Sequence, residues 1–256
     1  LYFPMKELDG DEIVQLLPQI TENQWSGILD LDLWSRDDIN LDRFLGLIQP
    51  ILYCEDAVAR KLLRGTDPEL WQLLFRRNLQ VFPRLEEDEF DETDTKTDVT
   101  FPTPDGNYLI SLPGDAEKAR LLRLLILRLY ELAPEWVQTL IHASQFATSL
   151  ELEENLYSSR KRRIEEMGFL DYFDALEIYT PIDPGAPLPK KIDPPRPELS
   201  QLPSHLPKWD PEGPLFLFRI LAHLSQSEDL TPLIEDLFFL CNKLLSADQT
   251  SPDDPG

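Results

Sequence analysis

Cysteine is almost missing from this sequence: Cys54 and Cys241 are the only two in 256 residues. Two are too few for a disulfide framework, and each sits in an apolar helical stretch where a thiol behaves as a small hydrophobe. A reducing, cytoplasmic location is the expectation. Glycine is scarce as well, with ten scattered residues, and none builds the Gly-rich strand-to-helix turn that cradles the phosphates of a nucleotide. The three histidines, His142, His205 and His223, show no zinc-ligand spacing among themselves or toward the cysteines. His223, within an apolar helical pattern, reads as an edge or core residue. No Gly-x-Ser-x-Gly nucleophile motif is present, and no cofactor is expected. Purely apolar runs such as 124–127 fall far short of a membrane span, and no signal peptide is visible, so no membrane insertion is expected.

Positive charge is the other shortage. Against 47 Asp and Glu stand only 24 Lys and Arg, a formal charge of −23 and a sequence pI near 4.4. Such a field repels phosphate backbones and anionic lipid at long range, which argues against nucleic acid and favours a basic protein partner or divalent cations. Composition is nonetheless that of a folding chain: 42% hydrophobic and 10% aromatic residues are too many for general disorder, and the length accommodates one large domain or two small ones.

What the sequence does contain is a series of helix starts. Residues 11–17 form an apolar helical pattern broken near Pro18. Thr21 with Gln24 has capping-box spacing, and Ile20 is placed to staple onto Trp25. Asn40 caps a helix carrying Phe44, Leu45 and Ile48 that Pro50 breaks or kinks, followed by a helical stretch over 55–64 closed by Gly65. Thr66 and Glu69 repeat the capping-box spacing ahead of Trp71. Asp115 caps 116–132, which is apolar over most of its circumference and therefore reads as buried, with Arg120, Arg123 and Arg128 at its edge. Pro134 starts a helix with Trp136, Val137, Leu140 and Ile141. The positions of Trp25, Trp71 and Trp136 near helix starts read as a degenerate helix-pair repeat.

Three stretches depart from this pattern. Residues 86–98, EEDEFDETDTKTD, form an acidic run that reads as a mobile loop; cation binding is the lesser alternative, because the spacing of a calcium loop is missing. Alternating residues on both sides of Asp105-Gly106 predict a hairpin of 99–103 with 107–112. Nearly half of the 23 prolines fall in 181–214, which must run extended as a strap or linker. Helices over 215–224 and 231–245 then close the chain, and 248–256 is a polar tail.

The chain is organised around 151–182. Thr148 with Glu151 makes another capping box, Gly168 is placed to close that helix, and Asp171 caps a short one ended by Pro181. Between them lies the only dense basic run, Arg160, Lys161, Arg162 and Arg163. It admits two readings. Lys161 and Arg162 stand four residues before Glu165 and Glu166, an ordinary helix-surface pairing. Alternatively the run is a docking site for an acidic surface or a phosphate, in which Arg160 and Arg163, lacking such partners, are replaceable at little cost to the helix.

The pattern RxxRIEEMGFxDYxxALEIYTPI, with LYFPMKELDGDEIVQLLPQIT and ILDLDLWSRDDINLDRFL upstream, resembles a bacterial family of unknown function whose members read RLxxxGFxDYxxALELYxPL. The opening LYF, followed by Pro4 where a tag remnant would carry Gln, is therefore expected to be native and the chain truncated upstream. The first segment also resembles the helical repeats of the intracellular domain of MgtE-type magnesium transporters and of the flagellar motor switch protein FliG. That likeness implies a superhelical array of short antiparallel helices and no particular activity.

The expected architecture is mainly α, a superhelical array with one small hairpin and an extended strap. A helical domain covers 1–180, with the acidic loop and hairpin at 82–114; the strap covers 181–214, a closing helical hairpin 215–247, and the tail 248–256. The expected function is a non-enzymatic interaction or scaffold module with a protein partner. The alternatives are a ligand binder or enzyme with an unrecognised carboxylate and His pocket, or a divalent-cation sensor. A shallow groove or exposed apolar patch favours the first; a deep apolar cleft with convergent polar groups favours the second.

Overall fold

The computed structural model describes residues 10–83, 99–112, 114–181 and 231–249. By internal contacts the chain divides into two compact units, Leu1–Arg160 and Lys161–Gly256. The acidic run, the Pro-rich strap and the first closing helix of the sequence reading lie outside the described residues, except for Pro181.

In the first unit, local chemistry sets the helix boundaries. Helix α1 (Gly10–Leu16) gives way to a 3₁₀ turn, Leu17–Gln19, at Pro18. The Thr21 hydroxyl accepts the Gln24 N–H at 3.2 Å while the Gln24 side chain accepts the Thr21 N–H at 3.0 Å, and this reciprocal pair opens α2 (Glu22–Asp32). Ile20 and Trp25, the expected staple, are both fully buried. Asn40 caps α3 (Leu41–Ile48) by accepting the Arg43 N–H at 2.9 Å, and Pro50 turns the continuation into a 3₁₀ segment, Gln49–Tyr53. Helix α4 (Asp56–Arg64) ends at Gly65, whose φ of −74° needs no glycine. The site is tight: a Cβ would stand 3.0 Å from the Lys61 carbonyl oxygen and 3.1 Å from Glu22 Cγ, so these neighbours would have to give by a few tenths of an ångström.

The capping box expected of Thr66 and Glu69 does not form. Pro68 is the first residue of α5 (Pro68–Asn78) and makes Asp67 the N-cap, because a proline lacking N–H fits the first helical position. The Thr66 hydroxyl is buried instead, donating to the Leu62 carbonyl at 3.0 Å and accepting the Trp25 indole N–H at 2.8 Å.

The strands exceed the single expected hairpin. Trp34–Ser35 (β1) and Asp38–Ile39 (β2) pair across a turn in which Arg36 takes φ 61°. Val99–Pro102 (β4) and Tyr108–Leu112 (β5) pair antiparallel as expected, with Gly106 at φ 74°. On the other edge of β5 lies Gln80–Pro83 (β3), from Gln80 opposite Ser111 to Pro83 opposite Tyr108. Pro83 and Pro102 both sit on edge strands, where a missing N–H is tolerated.

Asp115 accepts the Lys118 N–H at 2.9 Å and opens α6 (Ala116–Leu132); α7 follows as Pro134–Phe146. Helix α6 is buried along one face, through Leu122, Leu125, Ile126 and Leu129, and not around most of its girth: Leu124 is exposed and Leu121 and Leu127 half-buried. At the centre of the core Trp71 meets Phe44 and Trp136 edge-on, at ring-centroid distances of 5.1 and 6.2 Å, and thereby joins α3, α5 and α7. Its indole N–H reaches the Leu63 carbonyl at 3.1 Å.

Helix α8 (Ser149–Glu166) contains the division between the units. Thr148 and Glu151 form the expected capping box at its start, with both backbone N–H groups engaged at 3.1 and 3.2 Å. In the second unit α8 closes through Gly168 at φ 83°, where the Phe169 N–H bonds the Ile164 carbonyl at 2.9 Å and the Gly168 N–H bonds that of Glu165 at 3.0 Å. Buried Asp171 accepts the Phe173 N–H and caps α9 (Tyr172–Ala175), which runs into a 3₁₀ turn, Leu176–Tyr179. Helix α10 (Thr231–Asp248), expected over 231–245, packs on α9 and this turn. Asn242 donates to the Gly168 carbonyl at 3.3 Å, and the Tyr179 hydroxyl donates to Asp248.

Candidate functional site

The basic run is largely absorbed by the fold. Arg160, half-buried, donates from Nε to the Asp30 carbonyl at 2.9 Å, and its guanidinium stands 5.3 Å from the centre of the Trp34 ring. Asp30 lies in the last turn of α2, where carbonyls lack helical partners and the helix dipole is negative. Replacement of Arg160 without structural cost, as the sequence reading supposed, is therefore corrected. Lys161 pairs with Asp174 at 2.7 Å, a residue of α9, and not chiefly with Glu165 on its own helix. That hydrogen bond raises the Lys161 ammonium above its ordinary range. Arg163 is half-buried and Arg162 is exposed. No local pattern could reveal the Arg160 contact, because Asp30 and Trp34 are distant in sequence.

The motif GFLDYFDALEIY is likewise built into the second unit. Gly168 supplies the left-handed residue, Asp171 the cap, Ala175 a fully buried contact and Tyr179 the hydrogen bond to Asp248. Each residue in this set shapes or docks an element.

A polar network, unread from the sequence, surrounds Asp105. One carboxylate oxygen accepts the Thr103 hydroxyl at 2.5 Å and the Asn107 N–H at 3.1 Å; the other accepts Gln138 Nε2 at 2.6 Å and the Tyr130 hydroxyl at 3.2 Å. Partial burial acts to raise the Asp105 carboxyl, but these hydrogen bonds outweigh it and hold it below the usual carboxylate range. Burial and the adjacent carboxylate push the Tyr130 phenol up. Two of these bonds close the hairpin turn on itself and two tie its tip to α6 and α7, so Asp105 is an anchor.

The cleft of about 430 Å³ between the start of α3, the end of α5 and the start of α6 is open and polar. Asp38, Asp42, Arg77 and Lys118 supply its charges. Lys118 is bound to Asp42 at 2.6 Å and Arg77 to Glu153 at 2.5 Å, so both cations are neutralised from within. Among the described residues, no group of three or more His, Cys, Asp or Glu is placed to hold a metal. No described helix is long and apolar enough to cross a membrane.

One feature that folding leaves unexplained is apolar; in the first unit Tyr53 and Phe82 are exposed too, but the two most exposed of the large hydrophobic side chains described there lie close in sequence. Phe146, the last residue of α7, is 75% exposed and Leu150, in the first turn of α8, 74%. They flank a rigid corner: the Ala147 N–H closes α7 on the Ala143 carbonyl, and the Thr148–Glu151 box opens α8. The exposed His142 ring lies 4.8 Å from that of Phe146. The sequence places two apolar residues either side of a cap, a pattern that does not by itself tell exposure from burial. In the second unit Phe173, Tyr179, Leu240 and Leu244 are also exposed, but the 182–230 chain adjoining them in sequence lies outside the described residues.

The fold and these surfaces define a mainly α protein whose polar groups hold structure together and whose apolar corner faces solvent. The model of the family described as "Family of unknown function (DUF6178)" matches residues 1–256, and the chain belongs to that family. No match was found among curated proteins or among solved structures.

Proposed function

We propose that this chain is a non-enzymatic protein-interaction or scaffold module of the cytoplasm, a superhelical array that presents the corner between α7 and α8 to a protein partner. The observation carrying this reading is the exposure of Phe146 and Leu150 on a backbone fixed by hydrogen bonds. Large apolar side chains presented from an ordered backbone have only their own rotamers left to fix on docking, which lowers the entropy cost of using them as interface anchors. The open polar cleft favours the alternative, a ligand binder or enzyme, much less, since its cations are paired internally. Within the basic run, Arg162 is the exposed member available to steer a partner.

The test is parallel affinity capture at low salt with the unaltered chain and a Phe146→Ser/Leu150→Ser variant, each checked by thermal unfolding. Partners recovered only by the unaltered chain support the reading. Identical recoveries from two equally stable proteins, or a co-purifying small molecule that survives the substitutions, sink it.

A further inference from the structure

We infer that the partner seated on the α7–α8 corner is a basic amphipathic segment of another protein, with an apolar side chain entering between Phe146 and Leu150 and cations around it. The inference rests on the interaction reading above and adds the chemistry of the occupant. Between residues 133 and 159 the chain has no Lys or Arg, while Glu135, Glu151, Glu153 and Glu154 all fall there. Glu154 is exposed and lies one turn beyond Leu150 on the same face of α8, whereas Glu135 stands at the opposite end of α7 from Phe146, outside this rim. Glu153 is held by Arg77 at 2.5 Å, which places that cation in a neutral pair. Glu151 is fully exposed and held below its ordinary range by the hydroxyl and N–H of Thr148, so it adds a negative charge to the corner at neutral pH.

An apolar centre with an acidic rim selects the opposite sign in its partner. It disfavours two other occupants. A second copy docked symmetrically would set Glu154 of each copy against the same acidic rim, since a two-fold interface presents one patch to itself. An anionic bilayer meets the same repulsion, reinforced by the chain's charge of −23.

The experiment measures fluorescence anisotropy of a labelled Leu/Lys amphipathic helical peptide, and of its Leu/Glu counterpart, on the full chain. Binding of the Leu/Lys peptide is expected to weaken with salt. It should fall at least tenfold in Leu150→Ser, in Phe146→Ser and in Glu154→Lys, all three retaining the circular dichroism of the unaltered chain. The Leu/Glu peptide should not bind. Equal binding of the two peptides, or no loss in these variants, overturns the inference. So does sedimentation showing self-association that Leu150→Ser abolishes, or retention on phosphatidylserine vesicles that the same change removes. Capture that depends on Phe146 and Leu150 but shows no preference between the peptides leaves the interaction reading standing and removes only the basic partner.

Discussion

The indole N–H of Trp25 and the hydroxyl of Thr66 meet at 2.8 Å in the core, and the same hydroxyl donates to the Leu62 carbonyl at 3.0 Å. One small side chain thus satisfies the ring of α2 and the last turn of α4. Thr66→Val keeps the shape and removes the acceptor, leaving a buried N–H unpaired. The expected loss is about 1–3 kcal/mol, read from urea unfolding, and Thr66→Ser should recover most of it. A Val variant as stable as the unaltered chain would show that water reaches the indole.

Asp105 makes stability depend on pH. Its folded-state carboxyl lies below the ordinary value, so it contributes stability above the unfolded value of about 4 and loses that contribution as pH falls through the folded one. Asp105→Asn should cost about 1–2 kcal/mol at pH 7, from weakened hydrogen bonds. The gap between the two proteins should narrow in acid. Urea titrations at neutral pH and at several values below about pH 4 measure it; a gap independent of pH contradicts the assignment.

Within the basic run, stability should separate neighbours. Arg160→Ala removes the bond to the Asp30 carbonyl and the stack on Trp34, for an expected loss of about 1–2 kcal/mol. Arg162→Ala, on the exposed face, should stay within about 0.5 kcal/mol. Equal melting curves for the two variants would return Arg160 to the surface.

Gly168→Ala forces a Cβ into the left-handed region at φ 83°. The expected cost is about 1–2 kcal/mol. Far-ultraviolet circular dichroism during thermal unfolding reports it. Gly168→Asn should lose less, since Asn tolerates that conformation.

Caps formed by neighbouring residues were legible: Thr21, Asn40, Asp115, Thr148 and Asp171 each bind an N–H two or three residues on, so spacing alone carries the information. The same logic misassigned Thr66 because Pro68 competes for the start of α5 and Trp25 competes for the hydroxyl. Strand β3 was not legible, since its partner β5 follows the acidic run and a proline within a short run is a poor strand signal. Of the candidate site, the charges of 160–163 were plain in the sequence but their partners Asp30, Trp34 and Asp174 were not. The exposure of Phe146 and Leu150 depends on what the rest of the chain leaves uncovered, which no local window contains.

The aromatic core also decides what light can report. Trp25, Trp34, Trp71 and Trp136, four of the five tryptophans, belong to Leu1–Arg160; Trp209 is the fifth. Trp71 and Trp136 stand with ring centres 6.2 Å apart. In a Trp209→Phe background the tryptophan emission, excited selectively over tyrosine, becomes a private signal of the first unit, whereas far-ultraviolet ellipticity also counts α10. Melting curves from the two probes coincide only if both units unfold in one cooperative step, so the placement of the indoles turns a spectrometer into a gauge of how tightly the halves of the chain share their stability.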